Sequence, residues 1–433
     1  MKFALNNFIV KQFNQILEEG WPAIRRKVQR MVLLPVELFF ICFALFLVFL
    51  VRLLRPLVLI RFGSITSYII GSFVYEAEYY LSKKDYEKTK SIDLFYYRYK
   101  YESHRKPPNE QWDIMVRRHI HVSPFVSYLY TANQLLPMGK VHSLTYETGI
   151  DYWMDSENAM SQTNQHIRFT DVENERGLKF LQEIGHKQDE LFICLNVRDS
   201  AYKEKYQDWK KDWSYHNFRD SDINTYEEVS LALAEKGYWV FRMGKVVKKP
   251  LNLSHPRILD YVNTKYRSDF LGIWLMANCH FCVNANGGIT EVAKVFRRPL
   301  VQVNMIPFCD IGMVPSLSIS IPKKLTWRVN NSPLSLSEQM THNYHRHSEY
   351  KNAGIKISDS TAREITEAVM EMEGRLNGTW KDSHEDDQLQ KLYWKKFKAT
   401  PNFSKNHGLI HPEDEDRVGS KFLRNNHEWF LGD

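Results

Sequence analysis

Apolar positions fall into one long run and a series of short ones. Met31–Val51 is almost wholly apolar, interrupted by Pro35 and Glu37. As a helix it would be roughly 31 Å long, enough for a hydrocarbon core, whereas the uninterrupted Leu38–Val51 is too short to span alone. Basic residues flank it: Lys2, Lys11, Arg25, Arg26, Lys27 and Arg30 before, Arg52 and Arg55 after. A membrane span and an in-plane hairpin anchored by Arg25–Arg30 and Arg52/Arg55 both fit this pattern. The late start and the lack of a small-residue cleavage site argue against a signal peptide. Leu57–Phe62 then predicts a strand, followed by Gly63-Ser64 and a helical pattern from Ile65 to Leu81. Ile92–Tyr97 is a second strand, Lys106-Pro107-Pro108 a loop, and Trp112–Asp171 has no clear period. Glu175–Ile184 is a helix closed by Gly185. From Leu191 the alternation is regular. Strands are predicted at Leu191–Val197, Tyr238–Phe241, Ile258–Val262, His280–Val283, Leu300–Asn304 and Leu317–Ile321. Helices are predicted at Thr225–Lys236, at Asp269–Ala277 behind the cap Ser268, at Thr290–Phe296, and from Thr361, whose capping box with Glu364 opens a helix to about Arg375.

Strands alternating with helices predict an α/β chain with a doubly wound parallel sheet over 188–375, preceded by a less regular Rossmann-like domain over 57–187. Residues 1–56 form the hydrophobic membrane-associating segment, and 376–433 a helical tail. Ligands of such sheets bind outside the carboxyl ends of the strands. That rule selects Arg198 and Asp199; Arg242, Gly244 and Lys245; and the turn Asn284–Thr290. The turn places bare backbone N–H groups at a helix N-terminus, a ready anion site. Gly287 and Gly288 clear side chains from a ligand's approach, Asn284, Asn286 and Thr290 supply short polar groups, and Glu291 can accept from a ribose hydroxyl. An ordinary βα connection without ligand is the competing explanation. Arg198, Arg242 and Lys245 suit a diphosphate, whose departure as a leaving group fixed cations and N–H donors would assist. Asp199, or His216 in the following loop, can take a proton from an acceptor hydroxyl. Asp199 can equally be a structural ion pair with Arg198, and His216 an exposed loop histidine. Tyr202, Asn217, Arg219 and Asp222 share that loop. Arg297-Arg298 reads as a solvated helix end.

Composition narrows this only a little. The 433 residues carry a formal net charge of +7, which suits an anionic small substrate or an acidic membrane surface. Basic residues form no long patch interleaved with aromatics, so nucleic acid is not expected as a partner. The five cysteines imply no disulfide framework and favour a reducing compartment. Cys279 and Cys282 lack a partner pair for zinc and read as buried strand thiols. The positive-inside rule would place the body outside; cysteine usage favours the cytoplasmic face, and that is the expectation.

The ordered pieces Glu173–Gly185, Leu195–Tyr202, His216–Ile223, Gly237–Lys245, Ile258–Tyr261, Tyr266–Phe270 and Phe296–Asn304, extended by Ile321–Leu325 and Ala353–Ile357, carry a resemblance. Together they resemble a glycosyltransferase family of bacterial surface-polysaccharide gene sets. Leu57–Ser64 looks like the opening strand and turn of heptosyltransferase-type enzymes. Leu195–Asp199 is distantly similar to the fucosyltransferase H-x-R-R motif, which implies Arg198 on the phosphates, with Asn196 and Asp199 departing from the motif. The resemblance implies a GT-B fold: two facing Rossmann-like domains, acceptor in the first and donor in the second. It implies no metal and no cofactor, a nucleotide-sugar donor, and a glycan or lipid-linked acceptor at the membrane. A sugar-nucleotide epimerase or hydrolase, and a catalytically silent sugar-nucleotide-binding scaffold, are the alternatives.

Overall fold

The computed structural model describes residues 20–99, 106–144, 155, 158–206, 214–308, 311, 316–400, 403 and 416–432. They fall into two compact units. The first draws on 20–64, 90–97 and 120–144; the second on 65–89, 98–119 and the described residues from 155 onward. The chain is α/β with parallel sheets and one long apolar N-terminal helix, as its pattern predicts.

In the first unit the helix Trp21–Leu53 leads to a four-stranded sheet of order β3-β2-β1-β4. Its strands are β1 (Ile60–Thr66), β2 (Ile92–Arg98), β3 (His121–Val122) and β4 (Ser143–Leu144). The β1–β4 and β2–β3 pairs are parallel. Strand β1 begins three residues after the expected start, so Gly63-Ser64 lies inside a strand and not in a turn. A Cβ on Gly63 would lie 2.6 Å from the Phe95 ring of β2, so glycine here is a cross-strand packing requirement. The helix expected from Ile65 runs over Ile70–Tyr86. The stretch without clear period holds the helices Glu110–Arg117 and Val126–Leu135.

The second unit is built on a seven-stranded parallel sheet of order β13-β10-β9-β8-β5-β6-β7. These are β5 (Phe192–Val197), β6 (Trp239–Arg242), β7 (Ile258–Leu259), β8 (Cys282–Ala285), β9 (Leu300–Met305), β10 (Ser318–Pro322) and β13 (Asp416–Val418). The central strands are buried on both faces, which is why they read as apolar runs without alternation. Ile193, Leu195, Val283, Val301, Val303, Ile319 and Ile321 pack with Val229 and Leu233 of helix Glu227–Glu235 and with Ile365, Val369 and Met372 of helix Ala362–Leu376. Each such burial contributes about 1.5–3 kcal/mol. The latter helix starts at the Thr361/Glu364 capping box; Thr170 and Glu173 form another at helix Asp171–Glu183.

Two features break the simple alternation. An antiparallel ribbon of β11 (Lys324–Trp327) and β12 (Ile355–Ser358) leaves the sheet after β10 and returns at Asp359. The segment after 376 contains the helices His384–Lys398 and Ser420–Phe430, and it also supplies the edge strand β13, paired to β10. Its Tyr393, Trp394, Phe397 and Phe430 bury Met305 and Phe308.

Candidate functional site

Strand order locates the site. From β5 the chain runs outward through β6 and β7, then returns to β8 on the other side of β5. The order therefore reverses between β5 and β8, and a crevice opens outside the carboxyl ends of such a pair. Those ends are Asn196–Arg198 and Asn284–Gly288. The register sets Asn196 opposite Asn284.

Side chains stitch the two strand ends together. The Asn196 Nδ2 amide donates to Thr290 Oγ1 at 2.8 Å and to Asn284 Oδ1 at 3.3 Å. Thr290 Oγ1 donates to the same Asn284 oxygen at 2.7 Å, and the Gly287 N–H at 3.0 Å. Asn286, at φ +55°, donates from Nδ2 to the Asn304 carbonyl at 2.6 Å. The polar groups of the turn thus hold its shape, and all of Asn196, Asn284 and Thr290 are buried. The glycines need revising accordingly. A Cβ on Gly287 would meet Asn196 Nδ2 at 2.2 Å, so this glycine makes room for the stitch. A Cβ on Gly288 would contact Gly71 N at 3.4 Å, at the start of helix Ile70–Tyr86.

Glu291 follows on the short helix Thr290–Val295. Its Oε2 is buried and has no hydrogen-bond partner among the described residues. Burial pushes its carboxyl above the ordinary range, with Lys294 opposing. An unsatisfied buried oxygen calls for an explanation, and a ligand hydroxyl is one.

Arg198 pairs through Nε with Asp220 Oδ1 at 3.1 Å. The expected Arg198–Asp199 pair is absent. Asp199 accepts the Ala201 N–H at 3.0 Å and the Lys248 N–H at 2.8 Å, fixing the start of helix Ala201–Tyr206 and the loop after β6. Burial lowers Arg198 below the ordinary guanidinium value and raises Asp220 above the ordinary carboxylate range; the pair opposes both shifts. Lys323, at the base of the ribbon, donates to the Asp220 carbonyl at 2.6 Å and to Asp359 Oδ1 at 2.7 Å. Asn304, at φ +56° at the end of β9, donates to Ser221 Oγ at 3.1 Å and Tyr226 Oη at 3.2 Å, and accepts from Ser360 N at 2.7 Å. Two cations and two carboxylates are therefore gathered beside the ends of β5, β9 and β10. Asp220, Asn304, Lys323 and Asp359 were not among the residues singled out from sequence; the one signal available was a run of polar residues directly after apolar strands.

The second cation group stands at the end of β6. Arg242 is only 1% exposed and is held by Asp260 Oδ1 at 3.3 Å and the Lys249 carbonyl at 3.1 Å. Lys245 donates to the Pro108 carbonyl at 3.0 Å and lies 3.5 Å from Asp269. Gly244 packs toward Val247 and Val262. Arg242 is thus enclosed beside its carboxylate, and Lys245 lies between Asp269 and the Pro108 carbonyl. In the loop, the Tyr202 ring lies 5.2 Å from that of Tyr206, tilted to it, and burial pushes its hydroxyl up to about 12. Asp222 caps the turn Ile223–Tyr226 and pairs with Lys249 at 3.3 Å. His216 is half-buried against Tyr215 and Phe218, Asn217 is exposed, and the Arg219 guanidinium lies 5.3 Å from the Phe218 ring centre.

Arg297-Arg298 is no solvated helix end. Arg297, at φ +56°, turns back to Glu78 at 3.2 Å and the Met160 carbonyl at 3.0 Å; Arg298 donates to the Ala277 carbonyl at 2.6 Å. Cys194, Cys279 and Cys282 are buried thiols, and burial raises Cys194 and Cys282 further.

No protein-family model and no curated protein matches this chain. Solved structures do show similarity. A glycosyl transferase family 9 protein from Veillonella parvula aligns at 12% identity over 61% of this chain and 86% of its own, with TM-score 0.37. The E. coli ADP-heptose lps heptosyltransferase II aligns at 12% identity over 60% and 90%, with TM-score 0.35. A UDP-N-acetylglucosamine 2-epimerase from Listeria monocytogenes aligns at 9% identity over 57% and 79%, with TM-score 0.28.

Proposed function

We propose that this protein is a membrane-associated glycosyltransferase of GT-B type. It moves a sugar from a nucleotide-sugar donor to a glycolipid or surface-polysaccharide acceptor without a metal ion. The reversal of strand order between β5 and β8 carries this reading, because it sets the stitched turn Asn284–Thr290 and Arg198 at the carboxyl ends of neighbouring strands. Arg198 and Lys323 supply the positive charge for the diphosphate, the turn its backbone donors, and Glu291 an acceptor for a ribose hydroxyl. Departure of the nucleoside diphosphate builds negative charge that these groups stabilise. Asp199 and His216 are the candidates to take the proton of the acceptor hydroxyl; His216 has the more suitable ordinary pKa, and Asp199 must first release its two N–H partners. Arg242 and Lys245 act at one remove, holding the loop after β6. The exposed apolar helix Leu34–Leu53 keeps the enzyme at the membrane, with its body on the cytoplasmic face.

Thermal unfolding against a panel of sugar nucleotides tests the donor site. One nucleotide class at about 100 times its Kd should stabilise the protein by about 2.7 kcal/mol. Nucleoside diphosphate should then be released only when a lipid-linked acceptor is supplied. If no nucleotide stabilises the protein, the reading fails. Turnover without acceptor would mark a hydrolase or epimerase instead.

A further inference from the structure

The apolar helix is not free on all sides. From Phe40 onward its residues divide into two faces. Ala44 and Val48 are fully buried against Val126, Leu129 and Ala132, with Leu45, Leu47 and Val51 packed beside them. The Phe40 ring lies 5.3 Å from that of Tyr128. At the end of the helix, Arg52 donates to Asn133 Oδ1 at 2.7 Å and to the Pro137 carbonyl at 2.6 Å. The opposite edge is largely uncovered: Val36, Phe39, Phe43, Phe46, Leu50 and Leu53 are all exposed, Phe39 at 67% and Phe46 at 57%, although Phe43 also lies 6.1 Å from the Phe125 ring. Their spacing of three and four residues places them on one line along the helix.

A helix crossing the bilayer at this length would use Leu34–Leu53 throughout. It would then carry helix Val126–Leu135 into the hydrocarbon with it, since the two are packed along Phe40–Arg52. That helix exposes Thr131 and Gln134. The same core takes in Phe62 of β1, with Ile60, Leu94 and Tyr96 packed against it, so a span would also carry the open four-stranded sheet to lipid depth, where open sheet edges do not occur. The part free of such packing, Met31–Phe39, is about 13 Å long and cannot cross alone.

We infer that the helix lies in the plane of one leaflet as a monotopic anchor. Its Val36–Leu53 edge sits in the acyl chains and its Ala44–Val48 face carries the first unit. Both helix ends then stay on one side. The occupant is an anionic lipid surface: the edge is purely apolar, and the exposed Arg25 and Arg55 stand at the two ends of the apolar run, where they meet headgroups. Leu54, Leu57, Leu135 and Met138 add exposed apolar side chains around the Arg52 end. The inference rests on the membrane association proposed above and adds its topology.

The test uses the full-length chain with Cys42 and Cys309 replaced by Ser, bound to sealed vesicles of phosphatidylcholine and phosphatidylglycerol. Nitroxide labels at Val36→Cys, Phe43→Cys and Leu50→Cys should report equal depths. Trp21→Cys and Lys90→Cys should both react with an impermeant maleimide added outside. Omitting phosphatidylglycerol should weaken partitioning about tenfold or more. The double variant Phe39→Ser/Phe46→Ser should leave the vesicles while unfolding at the same temperature as its parent, since both side chains are exposed. Depths graded over about 21 Å, with Trp21→Cys shielded, would establish a span and overturn the inference. Failure to float with any vesicle would overturn the membrane reading as well. A dimer that protects the same three cysteines without lipid would assign the edge to a second copy and also overturn it. Donor binding in the thermal assay is read independently of all these outcomes.

Discussion

Asn196 Nδ2 lies 2.2 Å from the place a Cβ on Gly287 would take, so the two positions are coupled. Gly287→Ala should cost about 2–3 kcal/mol in denaturant unfolding, through overpacking and the loss of a buried hydrogen bond. In an Asn196→Ala background the same change should cost about 1 kcal/mol or less. Equal losses in both backgrounds would show that the stitch is not the reason for the glycine. Glu173 offers a second measurement. Its bonds to Arg118, at 2.6 and 2.9 Å, hold its carboxyl down at about 2, with Thr170 N and Gln111 helping. A carboxylate lowered in the folded state stabilises above its unfolded pKa and loses that contribution as pH falls through the folded value. Stability should therefore decline between about pH 4.5 and pH 2. Glu173→Gln should remove on the order of 1 kcal/mol at pH 7, solvent screening included, and flatten the acid limb of the melting profile.

At the scale of elements, the long helix serves two purposes along its length. Up to Phe39 it touches little of the described protein, and from Phe40 it closes the first unit's core. Deleting residues 1–38 should leave that core intact and weaken vesicle binding. Deleting 1–51 removes Ala44 and Val48 from against Val126 and Leu129 and should destabilise the unit by several kcal/mol, since each buried aliphatic side chain is worth about 1.5–3 kcal/mol. Circular dichroism melts of the two truncations in detergent distinguish them; equal melts would deny the helix its packing function. The β11–β12 ribbon is likewise more than decoration, because its base fixes Lys323 and Asp359 at the ends of β9 and β10.

The whole molecule brings Arg198 and Lys323 together with Asp220 and Asp359, two positive and two negative charges that nearly cancel. A diphosphate arriving there adds negative charge beside Asp220, whose carboxyl burial already raises. Binding should therefore take up protons, and nucleotide affinity should strengthen as pH falls toward the range in which Asp220 titrates, above the ordinary carboxylate value. Asp220→Asn should tighten binding and reduce that slope in calorimetry. A steeper slope in the variant would place the titrating group elsewhere. Arg198→Ala should cost about 2–3 kcal/mol of transition-state stabilisation, roughly a hundredfold in kcat/KM, with Lys restoring little because its single ammonium lacks the fork. Full activity in Arg198→Ala would remove that residue from the site.

What the chain alone determined was local. Apolar runs marked the central strands to within one or two residues, and the helix starts at Ser268 and Thr361 were written in capping residues that bond three positions along. The apolar character of the first helix was equally plain. Such features depend on neighbours within a turn or two, so they survive in a linear reading. Pairing across the sheet does not. Only the folded chain set β8 beside β5 and added β13 at the far edge. It also decided which carboxylate each cation meets: Asp220 for Arg198 at 22 residues' separation, Asp260 for Arg242 at 18, Glu78 for Arg297 at 219. An arginine at a strand end looks the same in sequence whether it faces a ligand or a buried partner. Its environment is made by segments far along the chain, and the packing of those segments is a property of the tertiary structure.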